Sequence, residues 1–228
     1  MAHPDVYIAL DTPSHDAAAR MAAAVRGHAG LKLGSTFFTA HGPGGVRTVA
    51  ADTPLFLDLK VHDIPATVAG AVDAAAALQP RFLTVHASGG REMLRAAVEA
   101  AAAHDPAPGI LAVTVLTSLD DATLASVGQA TPALDQTRRL ATLAADAGVT
   151  GLVCSPVELP AVRAEVGSGM TLVVPGIRPA GSAAGDQRRT ASPAETRANG
   201  ADVLVVGRPV TRATDPGAAA RELAGHAA

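Results

Sequence analysis

Eight short apolar runs punctuate the chain, and their spacing constrains the fold more than any other feature. They read VYIAL from Val6, LKLG from Leu31, LFLDLK from Leu55, FLTVHA from Phe82, ILAVTVL from Ile110, GLVCS from Gly151, TLVVPG from Thr171 and VLVVG from Val203. Each is short and rich in Val, Leu or Ile, and each ends near Gly, Pro, Ser, Thr or a charged residue. That is the pattern of a strand buried on both faces. Helical spacing fills the intervals. Ser14 stands where it would cap a helix carrying Met21 and Val25 and ending at Gly27; Gly90 to His104 carries Met93, Leu94, Ala97 and Val98; Thr137 to Ala147 reads the same way. Such alternation builds a parallel sheet with helices on its outer faces. Eight units within 228 residues match an α/β fold of one (β/α)8 TIM barrel. The competing architecture is a doubly wound open sheet. Against it, ALDTPSHD rather than G-x-G-x-x-G follows the first run, and no linker or composition break divides the chain. A single barrel domain over residues 1–228 is expected.

Composition narrows the partners. The chain is 48% hydrophobic and 17% charged, as in globular proteins. With one Tyr, four Phe and no Trp, the core is expected to be built from Ala, Val, Leu and Ile. A net charge of −3, without a basic stripe or stacking aromatics, argues against a nucleic-acid partner. No apolar stretch approaches a membrane span, and MAHPDVYIALD lacks a signal-peptide pattern, so no membrane partner and a cytoplasmic location are expected. Cys154 is the only cysteine; it permits no internal disulfide and no cysteine-based zinc site, and its apolar surroundings in GLVCSP suggest inert packing.

Barrel enzymes place their chemistry at the carboxyl ends of the strands. Those ends carry Asp11 on the first run, Lys32 on the second, Asp58 and Lys60 on the third, His86 on the fourth and Thr114 to Thr117 on the fifth. Arg178 follows the seventh and Arg208 the eighth. Lys32 and Lys60 are the only lysines among 18 basic side chains. Asp58 and Lys60 stand two apart, so in a strand they share a face, which at a barrel mouth is the interior. One reading is an internal ion pair. Buried pairs are weak sources of stability, which favours the other reading, a preorganised charged site whose ammonium serves as an acid. Lys suits that task because it can surrender a proton, whereas Arg effectively cannot.

The loop VVPGIRPAGSAAGDQRR, with Arg178, Gln187, Arg188 and Arg189, and the strand end VVGRP, with Gly207 and Arg208, resemble an anion site. Loops after strands seven and eight often hold phosphate in this fold; a flexible, solvated connection is the alternative. His41, His62 and His86 lack metal-ligand spacing and no carboxylate cluster joins them, so hydrogen-bonded histidines and no metal site are expected.

The stretch FLDLKVHDIPATV closely resembles the signature of the orotidine 5′-monophosphate decarboxylase family. IALD, KLG, VHASGG, VTVLTS, PGIRP…GDQRR and VVGRPVT…DP match it too, in order and across essentially the whole chain. The D-x-K-x-x-D core is shared with related sugar-phosphate barrels; the extension to KxHDIP with the GIR, DQ and VGR motifs makes the match specific. The resemblance implies a homodimer without cofactor or metal that converts orotidine 5′-monophosphate to uridine 5′-monophosphate in pyrimidine biosynthesis. Lys60 would deliver a proton to C6 of the pyrimidine as carbon dioxide leaves, with Asp58 against the departing carboxylate. Asp63 would complete an Asp-Lys-Asp-Lys array by reaching the neighbouring subunit's site, and Thr67 would touch the ribose there. Asp11 and Lys32 would hold ribose hydroxyls, with Lys32 also in the charged array. Ile64 would contact substrate, Thr117 would read the pyrimidine edge, and Arg178, Gln187, Gly207 and Arg208 would bind the 5′-phosphate. Two rivals stand beside this expectation: a metal-dependent sugar-phosphate lyase or decarboxylase on the same barrel, and a catalytically silent barrel that binds a nucleotide.

Overall fold

The computed structural model describes residues 4–178 and 191–225. All eight expected strands are present: β1 (Val6–Leu10), β2 (Gly30–Gly34), β3 (Leu55–Val61), β4 (Phe82–His86), β5 (Gly109–Val113), β6 (Gly151–Val153), β7 (Thr171–Val174) and β8 (Val203–Val206). Each pairs in parallel with its sequence neighbours, and β8 returns to β1, where Tyr7 lies opposite Val205, so the barrel closes. β5 is shorter than its apolar run; just past its end the Thr114 amide and hydroxyl both donate to the Val153 carbonyl, at 3.2 and 2.9 Å.

The covering helices include α1 (His15–Val25), α2 (Ser35–Ala50), α3 (Pro65–Ala76), α4 (Gly90–Ala102), α5 (Asp121–Ser126), α6 (Ala133–Asp146), α7 (Leu159–Val166), α8 (Pro193–Ala198), α9 (Arg208–Thr211) and α10 (Pro216–Gly225). Ser14 caps α1 as its position suggested, its hydroxyl accepting the Ala17 amide at 3.2 Å, and Gly27 turns the chain out with φ of 79°. α2 has no expected counterpart in the sequence reading. Gly42 leaves helical geometry at φ 59° just ahead of Pro43, and this kink hides the apolar period. No helix among the described residues is long and apolar enough to cross a membrane.

Two apolar layers result. The layer between strands and helices is Ala, Val, Leu and Ile with a few larger side chains such as Phe37 and Met93, as composition suggested. Inside the barrel that expectation fails. Tyr7, Phe56 and Phe82 meet there edge to face, with ring centroids 5.8 to 5.9 Å apart, and plug the lower interior together with Leu111, Val173 and Val203. Glycine makes the room: a Cβ on Gly30 would lie 2.4 Å from the Tyr7 ring, and one on Gly109 would lie 3.0 Å from Phe82. Three of five aromatic side chains thus stand in one place, because large rings on some strands and glycines on others fill a narrow eight-stranded interior.

Candidate active site

The mouth of the barrel stands directly above this aromatic plug. Two residues beyond Phe56 on β3 comes Asp58, and two beyond Phe82 on β4 comes Thr84; both side chains are buried. Asp58 is the hub of the site. Its Oδ2 accepts from the Lys32 ammonium at 2.9 Å, and its Oδ1 accepts from the Lys60 ammonium at 2.8 Å and from the Thr84 hydroxyl at 3.0 Å. Lys32 also lies 3.5 Å from Asp11 at the end of β1.

β3 reaches this arrangement by leaving regular strand geometry. Leu57 pairs with Leu83, but the next matched pair is Val61 with Val85, so four steps along β3 meet two along β4. The extra residues form a bulge that re-aims the side chains within it. Lys60 sits there at φ 51°, a left-handed conformation that costs a non-glycine residue energy and persists only where surroundings enforce it. Its amide no longer serves the ladder; it donates to the Thr84 hydroxyl at 2.9 Å.

The electrostatics follow from the contacts. Burial would raise the Asp58 carboxyl, but the Lys32 and Lys60 ammonium groups outweigh it and hold the group down at about 2. Burial would likewise lower Lys32; the Asp58 and Asp11 carboxylates more than compensate and raise it. His86 is pushed down by burial, by its neighbour His62 at a ring distance of 5.4 Å, and by Lys60, with Asp58 opposing. This imidazole beside Lys60 is therefore biased toward its neutral form.

A cavity of about 680 Å³ opens over these groups and gathers eight of the positions singled out from sequence: Asp11, Lys32, Asp58, Lys60, Thr117, Arg178, Gly207 and Arg208. Phe56 and Val205 help to floor it. Carboxylates and ammonium groups stand at one side, on β1 to β3, and guanidinium groups at the other, after β7 and β8. Arg178 is buried, with its Nη1 donating to the Ile177 carbonyl at 2.9 Å. Such a cavity offers a charged patch for a reacting centre and a separate cationic end for an anionic tail.

Three expected positions do not line this cavity. Asp63, Ile64 and Thr67 are exposed where β3 gives way to α3, and the Asp63 carboxylate accepts the Ile64 amide at 2.7 Å. Gln187, with the 179–189 loop around it, lies outside the described residues. Two residues of the site escaped the sequence reading. Arg212, four residues after Arg208, lines the same cationic end, and helical spacing from Arg208 was its available signal. Thr84, buried beneath the cavity, touches two charged residues, and its signal was being, like His86, a polar side chain of inward parity within FLTVHA. Among the other histidines, His41 places Nε2 2.6 Å from the Pro13 carbonyl oxygen, the structural bond expected of it. Cys154 is buried at the cavity wall, and burial with Glu158 nearby pushes its thiol up to about 12, against an opposing Arg163, which disfavours the thiolate. Among the described residues no group of three or more His, Cys, Asp or Glu is placed to hold a metal ion.

Comparison with known proteins brings these observations together. The model of the Orotidine 5'-phosphate decarboxylase / HUMPS family matches residues 4–223. The chain belongs to this family. Within the orotidine 5'-phosphate decarboxylase / HUMPS family, the orotidine 5'-phosphate decarboxylase of Thermobifida fusca is 58% identical, over 98% of this chain and 95% of that protein. The protein of the same name from Paramagnetospirillum magneticum is 53% identical, over 94% of each. Among solved structures, orotidine 5'-phosphate decarboxylase from Lactobacillus acidophilus superposes with a TM-score of 0.88 at 33% identity, covering 98% of both chains. The family carries two names, so the residues at the mouth bear on which chemistry this chain performs.

Proposed function

We propose that the protein decarboxylates orotidine 5′-monophosphate to uridine 5′-monophosphate, a carboxy-lyase step in making pyrimidine nucleotides. One observation carries the reading: a buried carboxylate, Asp58, held ionised between the ammonium groups of Lys32 and Lys60 at the floor of a nucleotide-sized cavity. The relatives named orotidine 5'-phosphate decarboxylase support it at 53–58% identity.

Decarboxylation at C6 leaves an electron pair on a carbon with no adjacent sink, so the surroundings must stabilise the charge. In the proposed reaction the bond from C6 to the carboxylate breaks, carbon dioxide departs, and the pair stays on C6. The Lys60 ammonium then gives C6 its proton, becomes a neutral amine and recovers a proton from solvent. A fixed ammonium gains value as that negative charge grows, and neighbours already in place remove the cost of reorganising. Asp58 lies beside the departing carboxylate, and their like charges raise the energy of the bound substrate relative to the transition state. Asp11 and Lys32 hold the ribose, and Thr117 reads the pyrimidine edge. Arg178, Gln187, Gly207 and Arg208 bind the phosphate, far enough from C6 for its binding energy to position the ring.

No cofactor or metal enters this scheme. Both Asp58 oxygens already accept from ammonium groups, and the neighbouring strand ends present Lys32 and His86 where a divalent ion would need carboxylates. Asp63 and Thr67 act in the site of a second copy of the chain. Their exposure around the mouth, close in sequence to the exposed Ile64, supports a homodimer built across that face.

The deciding experiment follows the ultraviolet absorbance of orotidine 5′-monophosphate in excess EDTA. Full turnover is expected; no turnover, with Mg²⁺-dependent activity on a sugar phosphate instead, overturns the proposal in favour of the metal-dependent branch. The shared site has its own test. Lys60→Ala and Asp63→Ala chains are each expected to be inactive alone and to regain part of the activity in mixed dimers. Verified heterodimers without rescue would rule out a partner contribution from Asp63.

A further inference from the structure

We infer that Thr84 is a positioning residue that aims both charged groups of β3, its hydroxyl donating to Asp58 while accepting the Lys60 amide. The inference rests on the decarboxylase reading for its effect on turnover, and on geometry alone for the contacts themselves. Thr84 is fully buried on β4 and lies on the inward face below His86. A hydroxyl has one proton to donate and lone pairs to accept with. Here the proton goes to Asp58 Oδ1 at 3.0 Å and a lone pair takes the Lys60 N–H at 2.9 Å.

The β3 bulge explains why this one side chain matters. By adding two residues between Leu57 and Val61, the bulge removes the Lys60 amide from the strand ladder. An amide in that position needs another acceptor, and the Thr84 hydroxyl is the one it has. Lys60 meanwhile stands at φ 51°, a conformation that its own backbone does not favour. The bond from its amide to a rigid β-branched side chain on the adjacent strand ties it in place. Through its proton the same hydroxyl fixes the Asp58 carboxylate, so that Oδ1 meets Lys60 and Oδ2 meets Lys32. One atom thus couples the backbone that carries the proposed acid to the carboxylate that orients it.

A purely structural Thr84 would alter stability and leave the rest unchanged. Thr84→Val keeps the volume and drops the hydroxyl, whereas Thr84→Ser keeps the hydroxyl. In Thr84→Val, kcat on orotidine 5′-monophosphate is expected to fall about ten- to a hundredfold with KM shifted less than about threefold. Amide hydrogen exchange, followed by NMR in the ligand-free protein, is expected to quicken at Lys60 while the amides of Phe56 and Leu57 keep their protection. Thr84→Ser returns both readings close to those of the unaltered protein. Wild-type kcat in Thr84→Val overturns the inference, and so does an unchanged exchange rate at Lys60. If Thr84→Val does not fold, Thr84→Ala poses the same two questions without placing a methyl against Asp58. Exchange requires no substrate. An unaltered protein inert toward orotidine 5′-monophosphate would therefore defeat the functional proposal, while the Lys60 amide still decides whether Thr84 positions it.

Discussion

Tyr7 and Asp58 are both buried inside the same barrel, one level apart, yet their pKa values move in opposite directions. At the lower level the Tyr7 hydroxyl has no hydrogen-bond partner among the described residues, and burial pushes it up to about 12 against a weaker pull from Arg81. At the mouth, burial acts on Asp58 in the same sense, yet two ammonium groups within 3 Å reverse the result and hold it at about 2. Depth therefore does not decide whether a group carries charge; the charges and donors built around it do. The switch takes two residues along each strand, from Phe56 to Asp58 and from Phe82 to Thr84. The apolar level gives the mouth a dry, rigid base, and the mouth satisfies its own ions side by side.

The contrast makes the sharpest prediction a pair of substitutions. Lys60→Ala is expected to lower turnover by about 10²–10⁴-fold or more while nucleotide binding persists, as read by initial rates and by titration calorimetry. Phe82→Ala is expected to leave the charged array assembled but to cost about 3–5 kcal/mol in chemical denaturation. Near-normal rates in the first variant would remove Lys60 from the proton-transfer role, and undiminished stability in the second would mean that the aromatic plug is not what supports the mouth.

A smaller effect separates the two levels by pH. The Asp58 carboxyl sits below its ordinary 3.8, so the native state releases that proton more readily than the unfolded chain. Its contribution, roughly 2 kcal/mol, is present above about pH 4 and is lost as pH falls toward 2. Tyr7 is raised from 10.0 to about 12, so the native state keeps its proton longer than the unfolded chain. Its contribution, roughly 2–3 kcal/mol, is present below pH 10 and is lost as pH rises toward 12. Denaturant melts across pH are expected to show both losses. Asp58→Asn should flatten the acid one and Tyr7→Phe the alkaline one; slopes unchanged by these variants would break the comparison.

Much of this molecule was legible along the chain. Parallel strands buried on both faces leave continuous apolar runs, so all eight could be counted, and their order follows from the short connections between them. Parity within LFLDLK put Asp58 and Lys60 on one face, and they do share the cavity, although not by a regular pleat. The bulge left no trace because no glycine marks it: Lys60 itself takes the left-handed conformation. Thr84 went unnoticed because its partners belong to another strand, and strand register is a property of two segments packed together. The aromatic plug was missed for the same reason, since composition counts Tyr7, Phe56 and Phe82 without showing that β1, β3 and β4 bring them into contact.

The residues alone carried the period of the strands, the capping of α1 and the choice of Lys over Arg at the third strand, because these are matters of local sterics and intrinsic proton chemistry. Closure of the barrel settled the rest. It brought β8 against β1, so that Arg208 faces the same cavity as Asp11 from almost two hundred residues away. It set β4 beside β3 in the register that hands the Lys60 amide to Thr84. It also buried Asp58 beside both lysines while leaving Asp63, five residues on, facing outward. Burial, register and the company of charges arise between segments, and a linear pattern holds only one side of each such contact.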